Sequence, residues 1–124
     1  FCIQTTRLIQ KNLNLEDDKV LTSFQSRFGK EKWLQPYTDK ILQSLPAKNI
    51  KKVAVVCPGF SADCLETLEE IQVENREFFI EAGGETYDYI PCLNDHPDHI
   101  NMMYDLIKEN LTNQFENIKS HSTR

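Results

Sequence analysis

Four carboxylates crowd one short stretch of the chain: Asp63, Glu66, Glu70 and Glu74. On an α-helix Glu66, Glu70 and Glu74 fall at successive i, i+4 steps, where like charges repel by about a few tenths of a kcal/mol per pair unless a cation or a proton is shared between them. Acids stacked in this way can pass a divalent cation or protons inward along the helix. A local reading accounts for the same residues: Asp63 followed three positions on by Glu66 has the spacing of a capping box, and acids near a helix N-terminus suit the helix dipole. On that reading Leu65, Leu68, Ile71 and Phe78 form the core stripe and the acids are a solvated face. Sequence leaves both readings open.

A second group is aromatic. The segment Gln25 to Tyr37 holds Phe28, Trp33 and Tyr37, with Phe60 opposite it across a sheet edge, and Trp33 sits in the polar run Lys30-Glu31-Lys32-Trp33-Leu34-Gln35. These rings suit a flat wall for a planar ligand, although core packing claims most aromatic residues in a small domain. Asp95-His96-Pro97-Asp98-His99 has the residue types of a metal site, but Asn94 or Asp95 capping a helix with Pro97 in its first turn explains them without a metal. Pro58-Gly59-Phe60-Ser61 stands between a strand and a helix and matches neither a dinucleotide fingerprint nor a P-loop.

The elements that must position these groups follow from periodicity and turn residues. Ile3, Ile9 and Leu13 among polar residues predict a helix over Cys2 to Leu13, loosened at its end by Asn12 and Asn14. Val20 to Gln25 reads as a strand, and Asp39 to Leu45 as a short helix stopped near Pro46. Val53-Ala54-Val55-Val56 has no polar alternation and reads as a strand buried on both faces. A long helix is expected from about Cys64 to Ala82, ended by Gly83-Gly84 where a left-handed cap is wanted. Tyr87 to Ile90 reads as a strand, and a closing helix begins at Asn94 to Pro97 with Ile100, Met103, Ile107 and Leu111 as its apolar stripe, before a frayed tail over Asn117 to Arg124. Strand and helix alternate, which argues an α/β fold with a parallel sheet joined by right-handed crossovers and covered by helices on both faces. The expectation is a three-layer, flavodoxin-like domain that lacks its first strand. In such sheets ligands bind beyond the carboxyl ends of the strands, where the Gln25–Tyr37 and Pro58–Glu74 segments fall.

Composition narrows the function classes. The 124 residues are about one domain's worth, 40% hydrophobic and 27% charged, and the longest apolar run, Val53 to Cys57, is far too short to span a bilayer. With 14 basic against 19 acidic residues the net charge is -5, and the basic residues form no stripe, so no nucleic-acid partner is expected. Cys2, Cys57, Cys64 and Cys92 show neither a Cys-x-x-Cys pair nor a disulfide framework, and read as reduced thiols of a cytoplasmic protein. A chain that opens on Phe1 rather than Met reads as a piece of a longer one.

Two long motifs, in order, carry a family resemblance. Ser23-Phe24-Gln25-Ser26-Arg27-Phe28-Gly29, continuing through Trp33-Leu34, Pro36 and Thr38-Asp39, and then Val55-Val56-Cys57-Pro58-Gly59-Phe60-Ser61-Ala62-Asp63-Cys64-Leu65-Glu66-Thr67-Leu68-Glu69-Glu70, resemble the ferrochelatases. Ala82-Gly83-Gly84 and Ile90-Pro91-Cys92-Leu93-Asn94 are similar to the bacterial branch. The resemblance implies a lyase of haem biosynthesis that inserts ferrous iron into protoporphyrin IX between two flavodoxin-like domains. Residues 1–124 would be the C-terminal chelatase domain, without its first strand, the N-terminal domain and the family's catalytic histidine, all upstream of Phe1. It implies further that Glu66 is the catalytic carboxylate at the metal-insertion centre and that Glu70 and Glu74 continue the metal path outward on a helix that is partly π, with Asp63 beside them. Phe28, Trp33 and Phe60 would line the porphyrin pocket. Some family members have a His at the position of Cys64. Iron enters as substrate rather than cofactor, and no iron–sulfur cluster is implied, since Asn117 to Arg124 contain no cysteine. The resemblance leaves room for peripheral membrane contact. Two other readings are a non-catalytic flavodoxin-like binding module and a chelatase for another tetrapyrrole or metal.

Overall fold

The computed structural model describes residues 1–25 and 32–121, and the chain forms two compact units, Phe1–Cys92 and Leu93–Arg124. The first unit begins with helix α1, Cys2–Asn12, which ends at Leu13; Asn14 then turns the chain at φ 51°. Helix α2 spans Thr38–Ser44 and runs into a short 3-10 turn at Pro46–Lys48, where the ring of Pro46 sets the backbone and Asn49 takes a left-handed conformation. Strand β1, Lys52–Val56, pairs in parallel with strand β2, Thr86–Ile90, from Lys52 opposite Thr86 to Val56 opposite Ile90. Between them lie a π-helix, Glu66–Glu74, and helix α3, Asn75–Glu81.

The core is made by Leu42, Phe79 and Tyr87, with Leu45, Val53, Val55 and Tyr89 packed against it. Phe79 and Tyr87 meet with ring centroids 6.0 Å apart and planes tilted by 52°, a favoured aromatic arrangement. Helix α3 ends as its glycines require. Gly83 takes φ 101° and donates to Ile80 O while Gly84 donates to Phe79 O, which is the Schellman pattern. A Cβ on Gly84 would lie 2.3 Å from the Phe79 ring.

Several expectations change. Val20 to Gln25 forms no strand: its one ladder contact is a parallel bridge between Phe24 and Tyr37, where Phe24 N donates to Pro36 O at 2.9 Å and Thr38 N to Phe24 O at 3.0 Å. The hydroxyls of Thr22 and Ser23 bond instead to those of Thr6 and Thr38. Among the described residues the sheet therefore has two strands, and the three-layer flavodoxin-like sheet is not what is seen; a small parallel α/β unit is. Strand β1 is covered on one face, with Val53 and Val55 half-buried and Ala54 and Val56 exposed, because α2 and α3 supply side chains to that face.

The long helix departs most. The stripe Leu65, Leu68, Ile71, Phe78 assumes 3.6 residues per turn, yet Leu65 is 72% exposed, and Leu68 and Phe78 are exposed as well. The buried line is Thr67, Ile71, Asn75 and Phe79, spaced by four. In an α-helix a four-residue spacing drifts by about 40° per step. The wider i→i+5 turns over Glu66–Glu74 remove most of that drift, so residues four apart share a line. Asn75 completes the transition to α: its backbone N–H and its side-chain amide both reach Glu70 O, the latter at 2.7 Å.

In the second unit Asn94 takes φ 49° and helix α4 spans Pro97–His121, so it runs through most of the expected tail. No glycine and no second proline follows Pro97 to stop it. Ile100, Met103, Ile107 and Leu111, expected as its core stripe, are exposed.

Candidate functional site

The C-terminal end of β1 leads through Cys57 into a four-residue turn, closed by Phe60 N donating to Cys57 O at 3.0 Å, and then to the π-helix. Its wide turns that bury Thr67 and Ile71 place Glu66, Glu70 and Glu74 on the adjoining line. Glu66 and Glu74 are exposed and Glu70 is half-buried. The Cys64 thiol donates to the Glu66 carboxylate, which lies below the usual carboxylate range and is ionised at neutral pH. The three glutamates string along the helix rather than converge. Among the described residues no group of three or more His, Cys, Asp and Glu side chains is placed to hold a metal ion. The line suits a path with single-carboxylate stations better than a closed metal cage, which draws several ligands onto one point.

Asp63 does not act as the first half of a capping box. The π-helix begins after Leu65, which has helical backbone angles, and no side chain caps it. Asp63 Oδ1 instead accepts from Tyr89 OH at 2.5 Å, from Thr67 Oγ1 at 3.0 Å and from Cys92 N at 3.3 Å. Thr67 Oγ1 also accepts from Cys64 N at 2.9 Å. The residues after β1 and the end of β2 are thus tied through one carboxylate oxygen. Tyr87, two positions before Tyr89 and on the same side of β2, donates to Ile71 O at 2.7 Å. Burial raises the hydroxyl pKa of both tyrosines, and the bond to Asp63 raises that of Tyr89 further, so both remain donors at neutral pH.

The sequence reading missed Tyr87, Tyr89 and Gln25. Gln25 Nε2 donates to Glu66 O at 3.3 Å, its Oε1 accepts from the Cys57 thiol at 3.6 Å, and its backbone O accepts from Trp33 Nε1 at 2.9 Å. That set joins the aromatic segment to the backbone of Glu66. Trp33 is anchored at its nitrogen and 40% exposed, so part of its surface faces solvent, as does Phe60. Phe28 lies outside the described residues. The buried Cys57 thiol is pushed up to about 11, first by desolvation and then by Cys92 and Asp63, so it is neutral at physiological pH. His96 and His99 serve the start of α4: Asp98 N donates to His96 Nδ1 at 3.3 Å, and His99 Nδ1 bonds Asn94 O at 2.7 Å.

An acid line on a π-helix that follows a parallel strand, with a tryptophan tethered to it through Gln25, narrows the possibilities, and comparison with known proteins decides the family. The ferrochelatase family model matches residues 1–111. The chain belongs to the ferrochelatase family. It is 57% identical over 110 residues to a ferrochelatase of Marinobacter nauticus, covering 89% of this chain and 30% of that protein. It is 60% identical over 113 residues to a ferrochelatase of Shewanella denitrificans (87% of this chain, 33% of that protein), and 55% identical over 107 residues to one of Vibrio cholerae (86% and 33%). The chain therefore spans about a third of the length of the ferrochelatases it matches. No helix among the described residues is long and apolar enough to cross a membrane.

Proposed function

We propose that the chain is part of a ferrochelatase that inserts ferrous iron into protoporphyrin IX to form haem, and that it supplies one wall of the porphyrin cleft. The observation that supports this reading most is the line Glu66, Glu70, Glu74 on a π-helix, exposed at its Glu66 end and beginning just after the turn that follows β1. Glu66 is the proposed catalytic carboxylate facing the macrocycle, with Glu70 and Glu74 as successive stations for the incoming cation. Trp33, Phe60 and Phe28 are proposed to line the face of the ring. Asp63, counted with the metal-path acids on sequence, is assigned the start of that path as the group that holds it in place.

Insertion of a divalent ion displaces two pyrrole protons: the macrocycle loses two N–H bonds, the metal gains the nitrogen lone pairs, and two protons leave. A carboxylate already held below its usual range is a poor resting place for a pyrrole proton and a good partner for a cation. Glu66 accordingly acts first as an ionised partner of the metal. Proton removal needs a second, more basic group, which the wall opposite would supply. The test is insertion by the chain extended to the length of its relatives, followed by fluorescence as free porphyrin is consumed. Turnover by the extended protein, with turnover by residues 1–124 alone lower by orders of magnitude, agrees with one wall of a two-walled cleft. Porphyrin that neither binds nor reacts with the extended protein contradicts the reading and favours a non-catalytic module.

A further inference from the structure

The acid line is useful only if its first member points in a fixed direction. The bonds on Glu66 itself come from the Cys64 thiol, in its own turn, and from the Gln25 side chain to its backbone O. Its neighbour Thr67 is tied to β2 through Asp63. Thr67 is fully buried, and its hydroxyl lies within bonding distance of Asp63 Oδ1 and Cys64 N. In a helix a residue that points inward fixes the outward direction of the residue before it, because successive side chains are set around the axis at a constant angle. Thr67 is in turn held by Asp63, and Asp63 is held by the phenol of Tyr89 at 2.5 Å.

We infer that Tyr89 is a positioning residue for Glu66. Its hydroxyl, delivered from β2, locks Asp63 Oδ1; Asp63 locks Thr67; and Thr67 sets the register at which the π-helix opens, with Glu66 presented to the cleft. Cys92 N, two residues past the end of β2, donates to the same oxygen, so the latch ties the end of β2 and the residues beyond it to the helix start. Tyr87 adds a parallel bond farther along, to Ile71 O, and fixes the middle of the π segment rather than its start.

The inference rests on the reading of Glu66 as the carboxylate at the insertion centre, and the experiment separates the two. In the protein extended to the length of its relatives, Tyr89→Phe keeps the ring and removes only the donor. A misdirected catalytic group a fraction of an ångström from its place costs roughly ten- to a hundredfold in rate. We expect kcat for iron insertion to fall by about that factor, with the dissociation constant for protoporphyrin unchanged. Amide hydrogen exchange over residues 64–68 should speed up in the same variant, a readout that does not depend on turnover. Thr67→Val removes a second donor to the same oxygen and should repeat the kcat loss; it carries the test if Tyr89→Phe does not fold. Glu66→Gln is run alongside. Normal kcat in Tyr89→Phe and Thr67→Val, with Glu66→Gln inactive, overturns the latch and leaves the role of Glu66 standing. An active Glu66→Gln protein overturns the role of Glu66, and the inference with it.

Discussion

The π-helix and helix α4 start from similar material, polar sequence with apolar residues at near-helical spacing, and end in opposite conditions. The π-helix is held from outside itself: Tyr87 reaches Ile71 O, Tyr89 reaches Asp63 just ahead of it, and Gln25 reaches Glu66 O. Among the described residues helix α4 carries local bonds, such as Asn110 Nδ2 to Leu106 O, Thr112 Oγ1 to Lys108 O and His99 Nδ1 to Asn94 O just before it. Its apolar side chains Ile100, Ile107 and Leu111 are exposed. Apolar spacing tells which face a helix would bury. Cross-element hydrogen bonds decide its register, and in the π-helix they hold four-residue lines that an unassisted helix would let drift.

The largest break in this contrast should come from Phe79, where the buried line of the helix meets the sheet. Phe79→Ala removes a fully buried ring packed on Tyr87 and is expected to cost about 3–5 kcal/mol in denaturant unfolding. Gly84→Ala should come next. The added methyl would collide with the same ring, and the side chain has no flexible end to yield, so a loss of about 1–3 kcal/mol is expected from the shift in midpoint.

A pH titration of stability sharpens the contrast differently. The Cys57 thiol is raised from an ordinary value of 9.0 to about 11, so the folded chain keeps a proton that the unfolded chain releases. Its contribution is complete below pH 9 and is lost as pH rises toward 11; stability should fall across that window, and Cys57→Ser should flatten the fall. The smallest effect belongs to α4. Ile107→Ser replaces an exposed side chain, and the unfolding free energy should move by no more than about 0.5 kcal/mol. A loss as large as that of Gly84→Ala would mean that α4 is buried against a partner.

Much of this was legible from the chain. The two strands, helices α1 and α2, and the Gly83-Gly84 stop follow from short apolar runs and from backbone chemistry that only glycine and proline supply. The acid line was legible as well, because a spacing of four keeps Glu66, Glu70 and Glu74 together in either kind of helix. What sequence hid was long-range. A 3.6-residue period assigned Leu65 and Leu68 to the core, whereas the π turns bury Thr67 and Ile71. Asp63 has the local signature of a cap, and nothing nearby in the chain announces that its donor is Tyr89, 26 positions on. The segment at Val20 to Gln25 has strand-like residues but only Tyr37 as a bridge partner among the described residues, and strand formation needs a neighbour as much as a propensity.

The central claim is that Glu66 meets the metal as an ionised carboxylate. Its most direct test is Glu66→Gln in the protein extended to the length of its relatives, measured as the rate of ferrous iron insertion into protoporphyrin IX beside the porphyrin dissociation constant. Gln keeps the size and the acceptor oxygen but loses the charge. The account predicts unchanged folding and porphyrin binding with turnover lower by orders of magnitude. Near-normal insertion by the Glu66→Gln protein would contradict it.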